Sequence, residues 1–231
     1  MSYTLKEMLA APGNYGSSRA ASQIKYIVIH YTGNDGDRAA NNAAYYQRNT
    51  VETSAHYFVD DTTVWRSVPD LLTAWAVGGK KYASAEQTGG GKLHGIVTNA
   101  NSISVELCDT VKDGAYRASE ATLTNAAALV VELMKRYNIP LENVCRHFDV
   151  TGKLCPSYMV DAGKWAEFKE RIARRAADNI PAAYAREAVE WIQREGIMTG
   201  NADGDLMLQQ PITRQQFAVM LWRYAKLTGK A

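Results

Sequence analysis

Apolar and polar positions along this chain alternate in strand-length runs and in helical stripes, and their order predicts an α/β domain. Residues Ile24 to Tyr31, IKYIVIHY, form a β-branched and aromatic run that reads as a largely buried strand of a central sheet. His30 lies at its C-terminal end, where a sheet commonly presents functional side chains. A Gly-containing turn follows, then a short Ala-rich helix with Asp37 as its expected N-cap. SAHYFVDDTTVWRSV reads as a hairpin turning at Asp60, Asp61 and Thr62. The stretch from Gly78 to Asn101 is rich in Gly, Lys, Ser and Asn and predicts a long surface loop, a kind of segment that often carries function. In NSISVELC, Ile103, Val105 and Leu107 point to one face, and Ser102, Ser104, Glu106 and Cys108 to the other.

Helical periodicity takes over at about Ser119. Leu123, Ala126, Ala127, Val130, Leu133, Met134 and Tyr137 make one apolar stripe, ended by Asn138 and Pro140. A short strand is expected around Asn143–Arg146, then a loop, RHFDVTGKLCPSY, and a closing helix through Trp165, Phe168 and Ile172. Strands interleaved with helices give a mixed central β-sheet flanked by helices, occupying residues 1–175. Residues 176–231 predict a small α-helical module: AREAVEWIQREGIMTG as a helix capped by Gly196, a turn-rich connector, and ITRQQFAVMLWRYAKL as a helix capped by Thr213.

Composition narrows the class only a little. The chain has 231 residues, is 46% hydrophobic and carries a formal net charge of +2, so it reads as globular, with no case for nucleic acid or a membrane surface. No segment approaches a membrane span, and MSYTLKEMLAAPGNYG lacks an apolar core of signal-peptide length. The expected location is cytoplasmic. Three cysteines, Cys108, Cys145 and Cys155, imply no disulfide framework, in keeping with a reducing compartment.

Three residues are of the type that a borderline-soft metal prefers: His30, His147 and Cys155. His147 and Cys155 lie across one Gly-containing loop, and three protein ligands leave a fourth position for water. Singly, each also reads as a hydrogen-bonded His or a small buried hydrophobe. Glu106, on the polar face of an apolar strand, is a candidate general base, and Lys153 a candidate partner for an oxyanion. Their plainer readings are a carboxylate paired with a surface cation and a solvated loop lysine. His56 and Tyr57 face opposite sides of the hairpin strand, so one of them can face a metal. His94 is a candidate substrate contact.

The succession IVIHYT, SAHYFVDD, NSISVEL and RHFDVTGKLCPSY resembles the zinc-dependent N-acetylmuramoyl-L-alanine amidases, which include phage endolysins, bacterial autolysins and peptidoglycan recognition proteins. The likeness covers about residues 20–172. It implies a zinc ion held by His30, His147 and Cys155, a general-base role for Glu106, and Lys153 as the lysine that precedes the cysteine ligand in active members. It places His56 where relatives carry Tyr or His near the metal. The implied reaction hydrolyses the amide between the lactyl group of N-acetylmuramic acid and L-alanine of the stem peptide. Ala76 departs from the family, since phage relatives often carry His in that stretch.

The C-terminal module is similar to a single S-layer-homology motif. Asp178, the run ending at Trp191, GIMTG, DGDLMLQQP and ITRQQ follow the family's order, although Gln216 stands where the family usually carries Glu. The resemblance implies binding of a secondary wall polymer, with Trp191 and Arg214 as contacts. A single copy raises self-assembly through this module, because linking weak sites gains avidity. The expected partner is peptidoglycan, and the expected setting is a phage or prophage endolysin held in the cytoplasm until release. Two other readings compete: a module that recognises peptidoglycan without cutting it, and a cysteine peptidase with Cys155 as nucleophile and His147 as base.

Overall fold

The computed structural model describes residues 3–177, 180–200 and 206–229. The chain divides into two compact units, one reaching to Ile172 and the other beginning at Ala173. In order, the first unit contains β1 (Thr4–Glu7), β2 (Tyr15–Ser18), β3 (Tyr26–Asp35), α1 (Ala39–Arg48), β4 (Tyr57–Val59), β5 (Thr63–Arg66), β6 (Leu72–Ala74), α2 (Ala85–Thr88), β7 (Ser102–Lys112), β8 (Ala115–Arg117), α3 (Glu120–Tyr137), β9 (Val144–Arg146), α4 (His147–Thr151) and α5, which starts at Ala162. The main sheet runs β1-β5-β4-β7-β3-β9, with β8 joined to β7, while β2 and β6 pair separately. β3 is parallel to both β7 and β9, and β4 is parallel to β7 but antiparallel to β5. The sheet is therefore mixed, with helices on it, as the pattern predicts.

Register decides which side chains meet. Ile27 pairs Ile103, Ile29 pairs Val105 and Tyr31 pairs Leu107, and all of these side chains except Tyr31 are excluded from water. That face packs against α3, whose stripe buries Ala126, Ala127, Leu129, Val130 and Leu133. The opposite face carries Val28, His30, Ser104, Glu106 and Phe58, where His30 pairs Glu106 and Glu106 pairs Phe58. α1 covers part of it: Ala39 and Ala43 pack with Phe58 and Cys108.

Several local expectations change in the fold. Asp37 is not the cap of α1. Its carboxylate accepts from the Asp109 amide at 3.1 Å and the Asn42 side chain at 2.5 Å, and the Ala39 amide is capped instead by Asp60 at 3.0 Å. Asp60 comes from the hairpin turn, so this helix start is satisfied by tertiary structure rather than by its own sequence. Ser119 caps α3 as local chemistry predicts, accepting from the Thr122 amide, and Asn138 ends it in the left-handed conformation. RHFDVTGKLCPSY is not all loop: its first residues form α4, ended by Gly152 at φ +82°. The expected loop from Gly78 to Asn101 contains α2.

The second unit contains α6 (Arg186–Arg194) and α7 (Arg214–Leu227). Among its described residues Val189 and Ile197 are buried, Trp191 meets Tyr224 edge-on at 6.4 Å, and the Arg223 guanidinium donates to the Ile197 carbonyl at 3.1 Å. Thr213 and Gln216 cap α7 reciprocally: the Gln216 amide donates to the Thr213 hydroxyl at 3.1 Å and the Thr213 amide to the Gln216 side chain at 2.8 Å. The missing acid at Gln216 therefore costs no capping, since a neutral carboxamide makes the same bond. Asp178 and residues 201–205 of the connector lie outside the described residues. No described helix is long and apolar enough to cross a membrane.

Candidate metal centre

Two parallel strands carry the two histidines to one place. β3 and β9 pair up to Ile29 and Arg146, so His30 and His147 are the next residues along each strand and emerge side by side on the same face. Their ring centroids are 4.7 Å apart. Cys155 returns from beyond Gly152 with its Sγ 3.9 Å from His30 Nδ1. One candidate donor atom from each of the three lies within 4.8 Å of the others, and all three side chains are buried.

The donor set fits a zinc ion. Imidazole and thiolate are ligands it favours, and His147 Nδ1 and His30 Nε2 are buried with no hydrogen-bond partner, an arrangement that costs free energy unless something else satisfies it. Burial first, then the charge of Lys153, brings His147 down to about 4, and burial with His147 and Lys153 drives His30 well below its ordinary value. Both rings are thus neutral at physiological pH, the form that ligates a metal. Burial pushes the Cys155 thiol up, opposed by a hydrogen bond from the Tyr31 backbone and by Lys153.

Glu106 stands beside the cluster, with Oε1 3.8 Å from His30 Nδ1 and Oε2 buried and unpartnered. Desolvation raises its carboxyl to about 8; Lys153 pulls the other way, and Asp109 and Asp37 add to the rise. The side chain retains 20% exposure, so solvent reaches it while much of it stays dry. Lys153 itself is exposed. Its charge is felt at His30, His147, Glu106 and Cys155 alike.

His56 does not join them. It shares their face of the sheet but sits one pair further from the strand ends, and both ring nitrogens are engaged. The Ser104 amide donates to Nδ1 at 3.0 Å, which leaves the proton on Nε2, where the Leu72 carbonyl accepts at 3.1 Å. The Arg19 guanidinium, 2.9 Å from the same nitrogen, opposes a second proton; with burial as the larger cause, the ring falls to about 3. His56 therefore stands outside the three-donor cluster, with both ring nitrogens held by neighbouring groups. Protons then bind the unfolded chain, with its ordinary 6.5, in preference to the folded one. Stability from His56 is complete above pH 6.5 and is lost as pH falls toward 3. His56→Gln should accordingly shallow the acid side of the urea-midpoint profile of metal-free protein, and an unaltered acid side would assign that slope to other groups. His94 is exposed, with Nε2 3.2 Å from the Gly79 carbonyl.

Sequence reasoning overlooked the parts that hold this stretch. Arg146 binds Asp149 through Nε and Nη2 at 3.0 and 2.6 Å, and donates to the Met159 and Val160 carbonyls at 2.6 and 3.0 Å. Its guanidinium also lies over Phe148 and Trp165. The spacing of Arg146 and Asp149 was the available signal. Arg19, buried and donating to the carbonyls of Asp70, Asn99 and Ser102, left no local signal at all. Cavities of about 550 and 390 Å³ open elsewhere on the domain, and neither is lined by His30, His147 or Cys155.

The chain is similar to known proteins. Residues 20–158 match the N-acetylmuramoyl-L-alanine amidase family, and residues 177–218 match the S-layer homology domain. The amidase CwlL of Bacillus licheniformis is 33% identical over 157 residues, covering 64% of this chain and 41% of its own length. The amidase XlyB of Bacillus subtilis (strain 168) is 31% identical over 201 residues, covering 85% and 58%. The chain thus spans about half the length of these relatives. The PlyG catalytic domain superposes with a TM-score of 0.58 at 31% identity, covering 78% of this chain and 99% of that one. This chain belongs to the N-acetylmuramoyl-L-alanine amidase family.

Proposed function

We propose that the chain is a zinc-dependent peptidoglycan amidase of phage or prophage origin that hydrolyses the amide joining N-acetylmuramic acid to L-alanine of the stem peptide. The observation that carries the reading is the convergence of His30, His147 and Cys155 within 4.8 Å, with the Glu106 carboxylate 3.8 Å from His30. A zinc ion held by those three residues supplies a Lewis acid and lowers the pKa of a water toward ~7. Glu106, placed beside the donor cluster and drawn toward its ionised form by the charge of Lys153, takes the proton of the attacking water and then gives it to the departing L-alanine nitrogen. The water oxygen bonds to the lactyl carbonyl carbon, the carbon–nitrogen bond breaks, and a carboxylic acid and an amine result. Lys153 supports the oxyanion that develops between these events.

A cysteine peptidase fits poorly. Its nucleophile needs a lowered pKa and an approach path, whereas Cys155 is 2% exposed and burial pushes its thiol up. Recognition without cleavage leaves the dry, unpartnered Glu106 oxygen without a purpose.

The second unit, in this proposal, holds the enzyme on a secondary wall polymer through Trp191 and Arg214. Phe217, Leu221 and Trp222 of α7 are about half exposed, which supports self-association through the same unit. All three cysteines are free and buried, in keeping with synthesis in a reducing cytoplasm before the protein reaches the wall.

The test pairs zinc content with clearing of a wall suspension, before and after chelation and with zinc restored. Loss and recovery in step, with new L-alanine amino groups in the digest, is the expected result. Lysis indifferent to chelation would sink the metal mechanism, and zinc without lysis would move the protein to the recognition class.

A further inference from the structure

Between Gly78 and Ser102 the chain leaves the sheet, and its central part lies along α4, the helix that opens with His147. A five-residue helix can pair few of its own carbonyls, and in α4 the Gly152 amide reaches Phe148 at 2.9 Å. Three amides of this neighbouring segment bind α4 carbonyls as well. The Tyr82 amide donates to the Thr151 carbonyl at 2.7 Å, Gly91 to Phe148 at 2.9 Å and Leu93 to Asp149 at 2.8 Å.

Packing along the same line is too close for side chains. A Cβ on Gly90 would stand 2.8 Å from the Phe148 ring, 2.9 Å from the Gly152 Cα and 2.9 Å from the Phe148 carbonyl. A Cβ on Gly152 would stand 2.4 Å from the Ala85 Cβ. Gly152 is also the left-handed residue that ends α4 and turns the chain toward Lys153 and Cys155. The end of the segment is fastened as well, because Leu93 and Val97 pack with Val28, Cys145 and Val150. Val28 precedes His30 by two residues and Cys145 precedes His147 by two, so this cluster sits directly behind both histidines.

We propose that the segment from Tyr82 to Val97 is a clamp that sets the position of the metal-binding stretch His147–Cys155, with Gly90 and Ala85 as positioning residues. The inference rests on the metal reading above. The segment touches none of the three donor side chains through these contacts. It holds the backbone from which two of them project, in addition to the Arg146–Asp149 pair. Supporting residues around a metal typically change its affinity by about 10–100-fold when lost, and a single methyl driven into α4 is a loss of that kind.

Gly90→Ala is the informative variant, since Gly90 does not occupy the left-handed region and the nearest atoms its new methyl meets belong to Phe148 and Gly152. Zinc affinity is read by competition with a chromophoric chelator, geometry by the visible spectrum of the cobalt-substituted protein, and folding by urea unfolding of metal-free protein. The expected result is a roughly 10–100-fold weaker zinc affinity with an altered cobalt spectrum and a well-folded metal-free protein. Gln87→Ala, on the exposed side of α2, should change neither. If Gly90→Ala fails to fold, Ala85→Gly, which removes the methyl facing Gly152, takes its place with the same readouts. A folded variant with wild-type affinity and spectrum overturns the clamp and leaves the metal reading standing. Equal destabilisation of metal-free and zinc-loaded protein would assign these contacts to general packing and overturn it too. Absence of zinc binding in the wild type defeats the metal reading itself.

Discussion

Glu106→Gln is expected to keep about one zinc per chain while wall-lysing turnover falls by roughly 10²–10⁴-fold, the usual contribution of a positioned general acid–base group. The substitution preserves shape and removes the basic oxygens. Oε2 is already buried without a partner and Oε1 lies 3.8 Å from His30, so no strong hydrogen bond is broken. Metal-free stability should change little, or rise above neutral pH. The sign follows from a folded carboxyl at about 8 against an ordinary 4.5: between these values the folded state holds a proton that the unfolded state releases. Stability from this group is therefore fullest below 4.5 and lost as pH rises through 8, and glutamine removes that loss. Turnover near the wild-type level with zinc bound would assign the base to another residue.

Cys155→Ser is expected to act one step earlier, on the metal. The serine hydroxyl is a poor zinc ligand, and Cys155 is one of only three donors in the cluster. Zinc affinity should fall by more than the ~10–100-fold typical of a supporting residue, and activity with it. The thiolate-to-cobalt absorption band should disappear from the cobalt-substituted protein. Retention of that band in the variant would mean that another sulfur binds the metal. The two substitutions separate by content: Glu106→Gln gives loaded, slow protein, and Cys155→Ser gives protein that does not hold its metal.

Side-chain type and local periodicity were legible without a structure. The long alternation of Ile103, Val105 and Leu107 against Ser104 and Glu106 names a strand with one apolar face, and α3 declares itself through its stripe, its Ser119 cap and its Asn138 stop. The hairpin around Asp60 to Thr62 and the two helices of the second unit were legible for the same reason: each depends on contacts a few residues apart. The donor residues were legible by chemical type, and their order by resemblance to the amidase family.

What only the tertiary structure decided is where those residues meet. His30, Glu106 and His147 share a face because β3 pairs β7 and β9 in one register, and a slip of one residue would turn each of them toward α3. The fate of His56 was equally non-local, since Arg19, Leu72 and Ser104 come from three distant segments to occupy its ring. The cap on α1 comes from Asp60, and the partners of α4 come from Tyr82, Gly91 and Leu93. Hydrogen-bonding capacity and apolar surface are properties of each residue and are written in its side chain. Which donor finds which acceptor is settled by long-range pairing and burial, and no window of sequence contains both partners.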